Sequence, residues 1–222
     1  MKQYSRAFVF ANGSVQDLKA TGAQIRSSDL LIAVDGGLKY LIALGKMPRI
    51  LIGDLDSVPA KEVTRLEKEN VEINRFPTHK DETDLELALG MLDEFKVSVA
   101  ILVGATGDRL DHTLGNIHLL TKYQCSFHLS LDDGKQEAFL IQERATIQGG
   151  PNDIVSLIPL EGKVSGITTH DLLYPLKNES LFLGSTRGIS NVMLGKIATV
   201  QKQKGTLLCT HIRTHVSKRE GL

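Results

Sequence analysis

Continuous apolar runs alternate with amphipathic segments from the start of the chain to Tyr123. The runs predict strands at 6–11, 30–34, 50–52, 71–76 and 97–103, and the other segments predict helices at 17–25, 38–44, 60–69, 83–95 and 113–123. Strands that are apolar throughout are typical of a parallel sheet with helices on both faces. We therefore expect an α/β domain whose ligands bind beyond the carboxyl ends of its strands.

The pattern changes after Tyr123. Short strands are predicted at 127–131, 138–141, 154–158, 181–183, 196–203 and 206–212, separated by Gly, Asn, Asp and Pro. No convincing amphipathic helix falls among them, which indicates a small all-β sandwich or barrel. We place the boundary at Asp132, so that an α/β domain at 1–132 precedes an all-β domain at 133–222.

Composition narrows the possible partners. The 222 residues include 26 basic and 26 acidic side chains, which argues against a nucleic acid or an anionic membrane as partner. No apolar run approaches the roughly 20 residues of a membrane span, and the N-terminus lacks a secretory signal. Cys125 and Cys209 fit no metal spacing and are expected to be buried thiols. We therefore predict a cytoplasmic protein.

Residues 53–57 (Gly-Asp-Leu-Asp-Ser) directly follow a predicted strand. In extended backbone, Asp54 and Asp56 would project to the same side. Two carboxylates about 4 Å apart repel by roughly 4 kcal/mol at an effective dielectric constant of about 20, so a cation or a proton between them is expected. Mg²⁺ suits such hard oxygen ligands. The alternative is a surface turn before the next helix.

Asp35-Gly36-Gly37 also lies between a strand and a helix. Glycines there let backbone N–H groups approach a phosphate at the helix N-terminus. The alternative is a tight turn in which Asp35 caps the helix.

Residues 79–84 (His-Lys-Asp-Glu-Thr-Asp) are dense in charge and precede a helix. Thr83 and Glu86 fit a capping box, which explains part of the segment structurally. It does not explain the acidic residues Asp81 and Asp84 beside Lys80, and Asp84 is a candidate ligand.

Residues 104–112 (Gly-Ala-Thr-Gly-Asp-Arg-Leu-Asp-His) follow the fifth predicted strand. The glycines allow a close turn, and Arg109 could hold phosphate oxygens with two hydrogen bonds. Asp111 could instead cap the following helix. No Gly-x-x-x-x-Gly-Lys-Ser/Thr motif is present, so this is not a P-loop enzyme.

Residues 184–191 (Gly-Ser-Thr-Arg-Gly-Ile-Ser-Asn) lie in the all-β part. They fit an ordinary hairpin loop. The alternative is a patch of hydroxyl and amide groups that binds a polar heterocycle.

Together these motifs resemble the thiamine pyrophosphokinase family, in the family's order and over most of the chain. The resemblance implies an α/β domain followed by a β-sandwich, in a homodimer with active sites at the subunit interface. It also implies an ATP-dependent diphosphotransferase that converts thiamine and ATP to thiamine diphosphate and AMP, with Mg²⁺ as cofactor. The α/β domain would bind nucleotide and metal, and the β domain would bind thiamine and form the dimer.

The resemblance also implies roles for individual residues. Asp54, Asp56 and Asp84 would be the catalytic residues that bind Mg²⁺. Residues assigned to ATP are Asp35, Gly36, Gly104, Gly107, Arg109 and Asp111. Residues assigned to the acceptor substrate are Asp81, Thr83, Tyr174, Ser190 and Asn191.

One departure concerns the thiamine pocket. Some family members stack the pyrimidine of thiamine on a tryptophan of the β domain, and this chain has no Trp. Tyr174 occupies the best matching position and offers a flat ring, although it also fits an ordinary loop tyrosine. Two other functions stay open from the sequence: a diphosphokinase acting on a hydroxymethyl pterin, and a non-catalytic protein that binds thiamine or a nucleotide.

Overall fold

The computed structural model describes residues 3–214 of the chain, which divides into two compact units. The first unit ends at Gly134 and the second begins at Lys135. The boundary expected from the sequence lies at Asp132.

The first unit is built on a parallel sheet. Its strands are β1 (Arg6–Phe10), β2 (Leu30–Val34), β3 (Ile50–Gly53), β4 (Glu72–Arg75), β5 (Val99–Val103) and β6 (His128–Asp132). Its α-helices are α1 (Leu18–Gln24), α2 (Leu38–Ala43), α3 (Ala60–Lys68), α4 (Asp84–Gly90) and α5 (Leu110–Tyr123), with 3-10 turns at Asp35–Gly37 and Met91–Phe95. The strand order is β6-β5-β1-β2-β3-β4, and all neighbours pair in parallel. The predicted α/β fold is confirmed.

Burial on both faces of this sheet explains its unbroken apolar strands. Phe8 and Val9 are consecutive in β1, point to opposite faces and are both fully buried. Phe8 packs in one cluster with Leu41 of α2 and Leu66 of α3. Each such side chain contributes about 1.5–3 kcal/mol when it leaves water.

The chain changes direction across the sheet at β1. It adds β2, β3 and β4 on one side of β1, and then returns to place β5 and β6 on the other side. The carboxyl ends of β1 and β5 therefore mark the switch point where open α/β sheets bind their ligands.

Two helices of this unit differ from the prediction. The helix expected at 113–123 already begins at Leu110, because Arg109 takes the cap position. The helix expected at 83–95 leaves α-helical geometry after Gly90 and ends at Lys96, which has φ 54°.

The second unit is a sandwich of two antiparallel sheets. Its strands are β7 (Gln136–Ile141), β8 (Arg144–Gln148), β9 (Ile154–Pro159), β10 (Lys163–His170), β11 (Glu179–Phe182), β12 (Asn191–Val192), β13 (Ile197–Gln201) and β14 (Leu207–Ile212). One sheet has the order β12-β9-β14-β7 and the other β11-β10-β13-β8. Leu157 and Leu207 from the first sheet share a core with Val164 and Val200 from the second. The predicted all-β part is confirmed as a β-sandwich.

Some strand assignments from the sequence were wrong. The strand expected at 127–131 was listed with the short strands of the all-β pattern, but it forms β6 and pairs in parallel with β5, which agrees with the predicted α/β range of 1–132. Strands β8, β10 and β12 were not predicted.

The cysteines differ from each other. Cys209 is buried in β14, and this burial raises the pKa of its thiol. Cys125 is exposed, so its predicted burial was wrong. Within residues 3–214, no helix combines the length and apolar character that crossing a membrane requires.

Candidate active site

A cleft of about 920 Å³ opens in the first unit at the carboxyl ends of its strands. Its walls come from the loops after β1, β2, β3 and β5, from the segment before α4 and from the start of α5. The predicted site residues that line it are Asp35, Asp54, Asp56, Thr83, Asp84, Gly104, Gly107 and Arg109. The cleft therefore lies at the switch point of the sheet.

Asp35 is fixed by the ends of β2 and β3. Its backbone has φ 45°, which Asp tolerates better than most residues, and its Oδ1 accepts a hydrogen bond from the N–H of Leu55 over 3.1 Å. A Cβ at Gly53 would lie 1.7 Å from Asp35 Oδ1, so only glycine leaves room for this carboxylate. Asp35 does not cap α2, which has no side-chain cap.

The other cleft carboxylates act on Asp35. Burial and then the charges of Asp84, Asp54 and Asp56 raise its pKa to about 6, against the opposing effect of the hydrogen bond from Leu55. The four carboxylates therefore share one electrostatic field, in which an added cation would be attracted to all of them.

Asp54 and Asp56 lie in a tight turn after β3. The expected extended backbone was wrong here, because Leu55 has φ 63° and its side chain is buried. The N–H of Asp56 donates to Asp54 Oδ1 over 3.1 Å. This bond lowers the pKa of Asp54, and Lys80 and the Thr78 hydroxyl act in the same direction. Asp54 is thus held as an anion.

Asp84 is the first residue of α4. Thr83 caps this helix through its side-chain oxygen, which accepts from the N–H of Glu86 over 3.2 Å. Glu86 itself pairs with Lys122, so half of the predicted capping box forms. The cap fixes where α4 begins and thereby holds the Asp84 carboxylate in the cleft wall.

Lys80 is the nearest cation to Asp84. Its Nζ lies 2.8 Å from Asp84 Oδ1, and both side chains are largely buried. That oxygen nevertheless has no hydrogen-bond partner among the described residues, because the ammonium is close to it without the alignment of a hydrogen bond.

The glycine loop after β5 is locked to the loop after β1. The N–H of Gly13 donates to Gly104 O over 2.7 Å, and that of Ser14 donates to Thr106 O over 2.6 Å. A Cβ at Gly13 would lie 2.3 Å from Thr106 O, so the two loops approach closely only because of this glycine. Asn116 of α5 donates to Ala105 O over 2.6 Å and holds the same loop from the other side.

Arg109 and Asp111 form an exposed pair at the start of α5. Arg109 donates to Asp111 through Nε over 3.2 Å and through Nη2 over 2.5 Å. The sequence suggested that Asp111 could cap the helix. In the structure its carboxylate binds the Arg109 side chain instead. Exposed ion pairs contribute little to stability, so Arg109 can exchange this carboxylate for a phosphate.

Three predicted residues of the first unit do not line the cleft. Asp81 and Asp111 are exposed beside it. Gly36 is buried, and a Cβ there would lie 2.5 Å from Asn12 Oδ1, so its role is to admit the Asn12 side chain.

Several cleft residues were missed by the sequence reasoning. They are Asn12, Lys39, Tyr40, Thr78, Lys80 and Asn116. Asn12 directly follows β1, so its position at a strand end could have identified it. Lys39 donates to Asn12 Oδ1 over 2.8 Å, and the Tyr40 hydroxyl donates to Gly13 O. These contacts join residues far apart in sequence, and no motif signals them.

The carboxylates face one cleft but are not arranged as a finished metal site. Between residues 3 and 214, no group of three or more His, Cys, Asp or Glu side chains has the spacing to hold a metal ion. The residues still fit Mg²⁺, because the donors are hard oxygens and Asp84 Oδ1 is buried without a hydrogen-bond donor in that range.

Three of the five residues predicted to bind the acceptor, Tyr174, Ser190 and Asn191, lie in the second unit. Tyr174 is 65% exposed. The buried side chain of Asn191 accepts from Tyr174 N over 2.9 Å and donates to Tyr174 O over 2.7 Å. Asn191 therefore holds the backbone that presents the ring.

The loop at 184–191 connects β11 to β12 and is largely exposed. Ser190 has φ 57°, and its N–H donates to Ser156 Oγ over 3.0 Å. Arg187 pairs with Glu179. These contacts fix the ends of the loop and leave the Ser190 side chain exposed.

A parallel sheet with an acidic cleft at its switch point, and glycine loops beside the acids, defines an α/β enzyme of the phosphoryl-transfer class. The matching family models agree. Residues 22–131 match the thiamin pyrophosphokinase catalytic domain, and residues 142–207 match the thiamin pyrophosphokinase vitamin B1 binding domain.

Individual relatives cover nearly the whole chain. A thiamine pyrophosphokinase of Bacillus subtilis is 34% identical over 182 residues, which are 81% of this chain and 85% of that protein. A crystal structure of Bacillus subtilis thiamine pyrophosphokinase has a TM-score of 0.84 at 30% identity and covers 94% of this chain and 99% of the other. A crystal structure of thiamin pyrophosphokinase from Geobacillus thermodenitrificans has a TM-score of 0.82 at 27% identity. It covers 95% of this chain and 99% of the other. This chain belongs to the thiamine pyrophosphokinase family.

Proposed function

We propose that this protein transfers the diphosphoryl group of ATP to the hydroxyl of thiamine, giving thiamine diphosphate and AMP. The observation that carries this proposal is the convergence of Asp35, Asp54, Asp56 and Asp84 on one cleft beside a glycine loop. Family membership and the two matching domains support thiamine as acceptor.

The reaction has a simple balance. The thiamine hydroxyl oxygen forms a bond to the β-phosphorus of ATP, and the bond from that phosphorus to the α–β bridging oxygen breaks. AMP leaves and one proton is released. Catalysis of such transfers consists mainly of positioning and charge stabilisation.

Asp54, Asp56 and Asp84 would hold Mg²⁺, with Asp35 nearby. When bound, Mg²⁺ offsets the negative charge of the polyphosphate and of the developing transition state. The carboxylates at the end of β3 and the start of α4 would hold the ion, and the fixed loop at 104–107 would present backbone groups to the polyphosphate. Arg109 would leave Asp111 to bind phosphate oxygens.

The second unit would bind the vitamin. Tyr174 offers an exposed flat ring for stacking on the pyrimidine. Ser190 would contact the same ring system through its exposed hydroxyl. Asn191 would act through Tyr174, because both ends of its amide already bond to the Tyr174 backbone.

We also propose a homodimer with its active sites at the subunit interface, in the cytoplasm. Support for the dimer comes from the large apolar side chains that the second unit exposes. They are Leu173, Tyr174, Phe182, Leu183, Ile189, Leu194 and Ile197. Exposed apolar surface of this kind is often covered by a partner.

The deciding experiment incubates the protein with ATP, Mg²⁺ and thiamine and separates the products. AMP formed in a one-to-one ratio with thiamine diphosphate supports the proposal. ADP with thiamine monophosphate contradicts it. A hydroxymethyl pterin supplied in place of thiamine tests the acceptor, and we expect no diphosphorylated pterin. Saturable binding of thiamine without any product would instead identify a sensor.

A further inference from the structure

Lys80 lies where a cation bound by Asp84 would lie. The segment between β4 and α4 carries it into the cleft wall. Its Nζ is 2.8 Å from Asp84 Oδ1 and donates to Pro77 O over 2.9 Å. Its side chain is only 13% exposed, so this ammonium is held in place.

The contact between Lys80 and Asp84 is electrostatic and incomplete. Asp84 Oδ1 is buried, and no donor within residues 3–214 makes a hydrogen bond to it, even though the ammonium is 2.8 Å away. A carboxylate oxygen in this state keeps a lone pair for a stronger ligand. A divalent cation at the same oxygen would repel the ammonium.

The rest of the cleft explains why an internal cation is needed. The charges of Asp54, Asp56 and Asp84 all act on Asp35. Lys80 also acts electrostatically on Asp54, so it offsets the negative charge of a second cleft carboxylate. The other lysine of the cleft, Lys39, bonds to the neutral side chain of Asn12 instead.

The geometry points to a charge exchange, in which Lys80 neutralises Asp84 in the free protein and passes to the polyphosphate when a divalent cation takes Asp84. The inference rests on the proposed function, since it needs a metal and a polyphosphate in this cleft. Its physical basis is the ammonium itself, which is a compact charge on a flexible four-carbon stem and can change partners without moving the backbone. A nucleotide polyphosphate would be the strongest new anion in the cleft.

The test measures binding, not turnover, for Lys80→Gln and wild type. Without nucleotide, the variant lacks the competing ammonium, and we expect its Kd for Mg²⁺ to fall by about tenfold, a usual size for coupling between two ligands. With saturating Mg²⁺, we expect its Kd for a non-hydrolysable ATP analogue to rise by about tenfold. Isothermal titration calorimetry measures both constants.

Opposite changes in the two affinities are the signature of exchange. A purely structural role for Lys80 would weaken both, and either that result or two unchanged constants would overturn the inference. Lys122→Gln is the matched control, because Lys122 also pairs with a carboxylate of α4, Glu86, but lies outside the cleft wall. We expect both of its constants to equal those of wild type.

A second measurement covers the case in which Lys80→Gln does not fold. In wild-type protein with ¹⁵N-labelled lysine side chains, the Lys80 signal is assigned by its absence in Lys80→Arg. It must shift when Mg²⁺ is added and shift again with the ATP analogue. An unmoved signal overturns the inference. If wild type makes no thiamine diphosphate but these shifts occur, the exchange stands and the proposed function fails.

Discussion

His211 and Asp153 form a buried contact in the second unit, with His211 Nε2 3.0 Å from Asp153 Oδ2. His211 Nδ1 lies 3.0 Å from Glu137 Oε1, so the ring of this β14 residue joins two carboxylates. Asp153 also accepts from the N–H groups of Gly150 and Thr214 over 2.8 Å. The pair therefore ties the loop before β9 to the end of β14.

This contact predicts how stability depends on pH. Burial lowers the pKa of His211, but the hydrogen bonds to Glu137 and Asp153 outweigh it and the net shift is upward. The imidazolium therefore stabilises the fold below about pH 6.5, and this contribution is lost as the pH rises through the raised value. Arg213 adds a further charge to this cluster, 3.2 Å from Glu137 Oε2.

We expect His211→Gln to lower the free energy of unfolding by about 3 kcal/mol at about pH 6, because Asp153 and Glu137 lose the buried imidazolium that lies between them. The deficit should shrink at about pH 9, where wild type has also lost the charge. Urea unfolding at both pH values measures this. His170→Gln, at an exposed position in the same unit, should match wild type. A deficit that does not change with pH would show that His211 is neutral.

We expect Asp54→Asn and Asp56→Asn each to reduce turnover at least about 100-fold, as removal of a preorganised charge does. Both variants should remain folded, since the change relieves repulsion between carboxylates. Rates of AMP formation and thermal unfolding curves test the two parts. Asp93→Asn, exposed and outside the cleft wall, serves as control. Near-normal turnover in both variants would refute the metal assignment.

Asp35→Asn should stabilise the free protein at neutral pH. Its folded pKa of about 6 lies above the ordinary value of 3.8 for this carboxyl, so ionising Asp35 opposes folding above about pH 6, and this penalty disappears as the pH falls below 3.8. Asn suits φ 45° and keeps the acceptor for Leu55. Unfolding midpoints at about pH 7.5 and pH 4 should show a gain only at the higher value. A gain of equal size at both would refute the charge explanation.

Tyr174→Ala should raise the KM for thiamine about fivefold to tenfold, since aromatic stacking contributes about 1 kcal/mol beyond the buried area. The KM for ATP should not change, and Tyr174→Phe should behave like wild type because it keeps the ring. Steady-state kinetics with each substrate varied in turn measures both constants. Equal loss in the Ala and Phe variants would assign the effect to the hydroxyl instead.

Leu194→Asp should convert the proposed dimer to monomer. Leu194 is 57% exposed and follows Met193, which forms an antiparallel bridge with Leu172. A charge placed in a covered apolar surface costs several kcal/mol. Sedimentation velocity compares it with wild type and with Ile42→Asp, an exposed apolar position of the first unit. A monomeric wild type contradicts the dimer.

The parallel sheet was predictable because the signal for it lies within each strand segment of the sequence. An unbroken apolar strand needs cover on both faces, and Asp35 and Asp54 stand at the ends of two such strands. Pairing within loops was less predictable. Asp111 fits the cap pattern, but the path of the loop brings Arg109 to it first. The position of Lys80 likewise depends on the path of the loop between β4 and α4, which the sequence does not reveal.

Strand β10 shows why part of the sandwich was missed. Its buried residues Val164 and Ile167 are three apart, which breaks the alternation expected of a strand. The register against β11 shifts between them, and Gly166 has φ 71°. A β-bulge adds a residue to one strand and interrupts the alternation of buried and exposed positions, so the sequence of β10 resembles that of a loop.

The amide of Asn191 forms its hydrogen bonds with the backbone N–H and C=O of Tyr174. The backbone position of residue 174 is therefore determined by Asn191, whereas the identity of the ring is determined by residue 174 itself. One aromatic side chain can therefore replace another at position 174, in evolution or in an enzyme engineered for vitamin analogues. The hydrogen bonds from Asn191 would still hold the backbone at that position.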